Sequence, residues 1–203
     1  MKTKKMPAKR INLKFIYIPV ILFLAFFLAL RYDAFISKFF ESVRFQKLNY
    51  FMFAINFLSS DMVFFLIVSA IFLSSVRIRN LLRVWITLIL TAIAGIGVKT
   101  FFSRPRPFQA GVVATFANLI ENSFSSWNTS FPSLHSATIF SVIPFFFEEK
   151  RIVRNSWIVF AVLVSLSRIY LGVHYLSDII FGASMGYGIG YLIFKISHRK
   201  IKK

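Results

Sequence analysis

The chain has 203 residues, of which 57% are hydrophobic and 27 are phenylalanine, and its formal net charge is +18. Only 16% of its residues are charged, against about 25% in a soluble domain, so a water-soluble globule of this composition would leave much apolar surface wet. The absence of cysteine excludes a disulfide scaffold, thiolate zinc sites and a cysteine nucleophile.

A membrane-crossing helix needs about 20 mostly apolar residues. A basic leader, residues 1–14, precedes the first such stretch, Phe15–Leu30. No small-residue cleavage site follows it, and Arg31-Tyr32-Asp33 comes instead, so the first span is expected to be retained. Between Asp33 and Ser60, apolar residues recur every three or four positions, with Ser37, Lys38, Glu41, Ser42, Lys47 and Asn49 opposite them. That pattern predicts an amphipathic helix lying in the membrane interface. Further spans are expected over Met62–Val76, Val84–Phe102, Pro132–Phe147, Ser156–Leu171 and Tyr175–Phe194. The last contains Gly182, Gly186 and Gly190 on one helical face, a spacing that allows close helix packing.

The expected fold is therefore all-α and polytopic. Six spans with an interfacial helix between spans 1 and 2 fill residues 15–196, with an outer loop at 103–131 and a basic tail at 197–203. If the spans alternate, the leader, Arg77–Arg83, Glu148–Arg154 and the segment from Lys195 share one side and hold 17 of the 25 Lys and Arg. The positive-inside rule places that side, and both termini, in the cytoplasm. It leaves Lys99, Arg104, Arg106 and Arg168 unexplained on the outer side.

Lys99 precedes Arg106 by nearly two helical turns, and Pro105 and Pro107 stop a helix there. Arg offers a planar fork and Lys a mobile charge for phosphate oxygens, although interfacial snorkelling gives the same pattern. Pro132-Ser133-Leu134-His135 reads as a capped helix start, whose free N–H groups form an anion site. The third cluster is Ser167-Arg168, His174 and Asp178. On a helix, His174 and Asp178 share a face and can hydrogen-bond, fixing the imidazole tautomer. Three cations, two histidines and one aspartate are thus expected on one membrane face, enough to offset a bound phosphate and its developing charge. One histidine can attack phosphorus while the other protonates the leaving oxygen. Asp178 and Glu121 are the only acids expected nearby, too few for a two-metal site, so no catalytic metal is expected.

In order and spacing these residues resemble the signature of the type 2 phosphatidic acid phosphatase superfamily, integral-membrane lipid phosphatases that share a site with vanadium haloperoxidases. Its three motifs read here as Lys99…Arg106-Pro107, Pro132-Ser133-Leu134-His135 and Ser167-Arg168…His174…Asp178. Leu134 departs from the pattern, because the family usually carries Gly there.

The resemblance implies that His174 is the nucleophile of a phosphohistidine mechanism, with Asp178 orienting it. It makes His135 the proton donor to the leaving oxygen and then the activator of water. Lys99, Arg106, Arg168 and Ser133 hold the phosphoryl oxygens, and no cofactor is needed. Arg104 lies outside the motifs and either meets a second phosphate or is solvated. The implied activity is hydrolysis of a lipid phosphate or diphosphate, such as undecaprenyl diphosphate, in the cell membrane with the site facing outward. The implied partners are the substrate and membrane lipids, not nucleic acid. Leu134 keeps transfer to a non-water acceptor open as a rival, and a non-catalytic transporter or assembly protein is a second.

Overall fold

The structure is a computed structural model describing residues 14–74, 78–114, 116 and 129–199. The leader up to residue 13, Arg77, Glu121 with most of the outer loop, and the tail from Lys200 lie outside the described residues. Eight helices and no strand occur among the described residues: α1 (Lys14–Ser42), α2 (Gln46–Leu58), α3 (Asp61–Ser74), α4 (Ile78–Phe102), α5 (Leu134–Ser141), α6 (Ile143–Phe146), α7 (Arg151–Tyr170) and α8 (Leu176–Arg199).

Four stretches are long and apolar enough to cross a membrane unaided: Tyr17–Ser42, Asn80–Phe102, Arg151–Tyr170 and Leu176–Ser197, with mean hydropathies of 1.9, 2.1, 1.5 and 1.5. A fifth arises if α2 and α3, bent by 66° at Ser59-Ser60, count as one. The stretch expected as the fourth span is instead a 13-residue apolar segment, Leu134–Phe146, broken at Val142. Pro144 accounts for the break, since its ring nitrogen cannot donate back to the preceding turn. Large side chains on α1 (Ile21, Phe23, Leu24, Phe27, Leu28) and α4 (Leu82, Ile86, Ile89, Ile93) stay exposed. Contiguous apolar surface of that extent belongs against lipid rather than water, which gives the chain its membrane-protein character.

The single amphipathic helix expected over 33–60 does not form. Its first third is the end of α1, the chain breaks at 43–45, and α2 begins at Gln46. Of the polar face expected there, Lys38, Ser42 and Lys47 are exposed, but Ser37 is buried at 1% exposure, as is Asp33 at 3%. Asp33 is buried because it serves protein donors on α8 and the outer loop, as described below.

α8 is the central helix, packing on α1, α4, α5 and α6. Its glycine stripe explains the closest of these contacts. A Cβ added at Gly186 would overlap the carbonyl of Ala137, and one at Gly190 the carbonyl of Ser141. At Gly182 it would stand 2.5 Å from the carbonyl of Ser133. Backbone therefore meets backbone along α5–α8, the close approach that small residues permit. At the opposite end of α7, Val68, Phe72, Val84, Phe145, Phe146 and Trp157 form the apolar core, with Trp157 stacked on Phe146 at 4.5 Å.

Candidate active site

Lys99 lies in the last turn of α4 and is 6% exposed. Its Nζ donates to the carbonyl of Thr129. Arg104 and Arg106 each precede a proline, which disfavours helical backbone, and residues 103–106 run without helix. The Arg106 N–H donates to Gln109 Oε1 at 2.9 Å, and its Nη1 to the carbonyl of Val173 at 3.4 Å. The loop after α4 is thereby laid against the turn between α7 and α8, and Phe108 N–H to the Gly172 carbonyl (3.3 Å) adds a second tie.

Ser133 caps α5, its Oγ accepting from the Ser136 N–H at 3.4 Å and lying 3.1 Å from Ser136 Oγ. The next two residues, Leu134 and His135, open the helix with free N–H groups. The Leu134 side chain fills the notch at Gly95 of α4, where a Cβ would overlap its Cδ2. A larger residue in the second motif is thus matched by a missing side chain on the neighbouring helix, and the Leu134 backbone keeps its place at the helix start.

The spacing of the third motif follows from how α7 ends. Gly172 takes φ +72, its N–H donates to the Ile169 carbonyl at 2.8 Å, and the Val173 N–H donates to the Arg168 carbonyl at 3.1 Å. This is a Schellman motif. The His174 N–H also donates to the Arg168 carbonyl, at 3.2 Å, so the turn folds His174 back onto the arginine six positions earlier. Asp178 sits at the third position of α8, and its Oδ2 accepts the Tyr175 N–H at 2.7 Å, half of a capping box. His174 therefore precedes the helix, and the expected shared helical face does not exist. Turn and cap together still leave Nδ1 only 3.7 Å from Asp178 Oδ2, longer than a hydrogen bond.

The three segments converge. Arg106, Arg168 and Lys99 all bear electrostatically on His174, and Arg168, His174, Arg106 and Lys99 on His135. Burial, reinforced by those three cations, holds the His174 imidazole well below its ordinary 6.5. Burial also brings Arg106 down to about 10. The result is a neutral imidazole among cations, an arrangement that favours an incoming anion. Arg168 Nη1 donates to Asn56 Oδ1 on α2, and Tyr170 Oη to Asn49 Oδ1 at 2.6 Å.

Three site residues escaped the sequence reading, Asp33, Ser130 and Asn56, and Arg104 was read without its partners. Arg104, expected to be solvated or to meet a second phosphate, instead engages two carboxylates and a hydroxyl from a half-buried position. Its Nη1 donates to Asp178 Oδ1 (2.8 Å) and Ser177 Oγ (2.7 Å), and its Nη2 to Asp33 Oδ2 (2.8 Å). Ser130 Oγ donates to Asp178 Oδ2. A signal for Asp33 was available, since a lone carboxylate in an apolar helix is costly and demands a partner.

The solved crystal structure of the first transmembrane PAP2 type phosphatidylglycerolphosphate phosphatase from Bacillus subtilis superimposes with a TM-score of 0.69 at 27% identity, covering 91% of this chain and 98% of that one. Aquifex aeolicus LpxE superimposes at 0.63 with 28% identity, covering 78% of this chain and 92% of that one. Among curated proteins, phosphatidylglycerophosphatase B of Bacillus subtilis is 37% identical over 118 residues, 52% of each chain. Lipid A 4'-phosphatase of Porphyromonas gingivalis is 32% identical over 103 residues, 48% of this chain and 42% of its own. The matched regions span about half the length of these curated relatives. The PAP2 superfamily model matches residues 80–202, a segment that takes in all three motifs, and with the shared fold it means that this chain belongs to the PAP2 superfamily.

Proposed function

We propose that the chain is a membrane lipid phosphatase working through His174. One observation carries the reading: Lys99, Arg106 and Arg168 act together on two imidazoles, the buried His174 and the half-buried His135. Nδ1 of His174 faces Asp178, leaving Nε2 to attack phosphorus. The N–P bond forms as the P–O bond breaks, and His135 passes its proton to the departing oxygen. Asp178 then faces a positively charged ring. Water next attacks the phosphohistidine, giving its proton to His135, and inorganic phosphate leaves. Ser133 and the N–H groups at the start of α5 join the three cations in holding phosphoryl oxygens. The carboxylates of Asp33 and Asp178 are occupied by Arg104, which supports a metal-independent reaction.

A lipid substrate is supported by a cavity of about 360 Å³ between α3 and α4, lined mostly by apolar residues such as Phe65, Trp85, Leu88 and Ile89, together with Asp61 and Thr138. Thr138 Oγ1 donates to the carbonyls of Leu134 and His135, so an apolar tail in the cavity would pass within one helical turn of His135. The names of the relatives support lipid phosphate monoesters such as phosphatidylglycerophosphate or lipid A 4'-phosphate, and undecaprenyl diphosphate shares with them an apolar tail and a terminal phosphoryl group. We further propose six crossings, with α3 as the second and α5–α6 as the fourth, both termini cytoplasmic and the site at the outer face. The test is phosphate release by purified protein in detergent with EDTA, across a panel of lipid phosphates and diphosphates. Release from at least one lipid, lost in His174→Ala, is expected. Undiminished release by that variant would overturn the mechanism.

A further inference from the structure

Asp33 lies outside residues 80–202, the segment that carries the family match, and yet it is built into the site. Its Oδ1 accepts the Ser177 N–H at 3.0 Å, and its Oδ2 accepts both Ser177 Oγ and Arg104 Nη2. Arg104 spans from there to Asp178 while lying over the Tyr175 ring, 4.0 Å from its centroid. Both carboxylates are buried, Asp33 at 3% exposure and Asp178 at 0%. The Asp178 carboxylate is thus fully engaged, by Arg104 on Oδ1 and by Ser130 and the Tyr175 N–H on Oδ2. Its orientation toward His174 is set by those donors.

Arg104 differs in kind from Lys99, Arg106 and Arg168. To grip a phosphate it would have to abandon two buried carboxylates and leave them without a counter-charge. What it does instead is tune charge. Asp33, Arg104 and Asp178 together carry one net negative charge, which matches the one positive charge that His174 gains on forming an N–P bond. Without Asp33, Arg104 would neutralise Asp178 and nothing would be left over. The four cations of the cluster against its two carboxylates leave two positive charges, the complement of a phosphate monoester dianion.

We infer that Asp33 and Arg104 are positioning residues of this reaction, a buried bridge from α1 that fixes the Asp178 carboxylate and sets the charge it presents to His174. The inference rests on the reading of His174 as nucleophile. The groups facing His174 are Asp178 from α8, Lys99 from α4, Arg106 from the loop after α4, His135 from α5 and Arg168 from α7. Arg104 and Asp33 act on it through Asp178.

The experiment compares pH profiles of kcat/KM for wild type, Asp33→Asn, Arg104→Met and the double variant, with His174→Ala as control. Substrate ionisation is common to all of them. Asp33→Asn removes a negative charge, so its acid limb should move down by roughly half to one pH unit, with kcat falling about 10- to 100-fold at little change in KM. Arg104→Met removes a positive charge, and its limb should move up. The double variant restores the net charge and should bring the limb back toward wild type. A bridge that merely holds the fold would lower activity without these opposed shifts. Asp33→Asn is isosteric and decides the matter alone if Arg104→Met does not fold. An unmoved limb and kcat within about threefold of wild type in Asp33→Asn, with His174→Ala inactive, overturns the inference alone. An active His174→Ala overturns the reading of the reaction and this inference with it.

Discussion

The two ends of α7 show opposite uses of burial. Near its start, Trp157 stacks on Phe146 and packs with Phe64 at 5.9 Å, within an apolar cluster. Near its end, Arg168 is buried with Lys99, Arg106 and the His174 imidazole, beside the half-buried His135. Apolar burial is favourable by about 25 cal/mol per Å², and its cost of disruption follows shape and volume. Burying like charges together is unfavourable, and such a cluster persists where an anion or a function compensates it. The first end should therefore govern whether the protein folds, and the second what it does once folded.

The largest effect that would separate the two ends is loss of His174. His174→Ala should lower turnover by about four to six orders of magnitude with little change in Tm, measured by phosphate release and thermal unfolding in the same detergent. Trp157→Ala should do the reverse, costing about 3–5 kcal/mol of stability while the protein that remains folded keeps its KM. Between the two ends runs the α5–α8 contact, and Gly186→Leu should damage both. Its side chain would collide with the Ala137 carbonyl and part α5, which carries His135, from α8, which carries Asp178, lowering Tm and activity together. A subtler probe is the Leu134–Gly95 fit. Gly95→Ala should destabilise wild type more than it does a Leu134→Gly background, with a coupling of about 1–3 kcal/mol in a double-mutant cycle. Additivity would show that the notch is incidental.

The smallest effect concerns pH. Because His174 is held well below 6.5 when folded, the unfolded chain takes up that proton first as pH falls. The neutral ring then contributes fully above about 6.5, and stability declines below it. Tm should drop between pH 7.5 and 5, and His174→Asn should reduce that drop. A drop of equal size in the variant would assign the acid sensitivity to other groups.

Much of the site was legible in the sequence because its residues occur at fixed separations within short segments. Lys99 to Arg106 is a helix end stopped by prolines, and Arg168 to His174 is the length of a Schellman turn. Those separations were read correctly even where the geometry behind them was not, since His174 and Asp178 meet across a cap rather than along a helix. Asp33 signalled a need for a partner, but which partner was illegible, because Arg104 lies 71 positions away and no local pattern reports such a distance. The same reason hid the break in the segment 33–60, whose periodicity could not reveal that one polar side faces α8. Pro144 was visible, and its effect on the expected fourth span was a local matter that hydropathy alone overlooked.

The cavity between α3 and α4 has a final consequence for how such an enzyme would be assayed. Its walls include Phe65 and Ile89, both exposed on the lipid-facing side of the bundle, so a lipid would arrive sideways from the surrounding membrane or micelle. The velocity should then track the mole fraction of lipid in each micelle: adding neutral detergent at constant total substrate should slow turnover by surface dilution, and short-chain water-soluble analogues should escape that slowing.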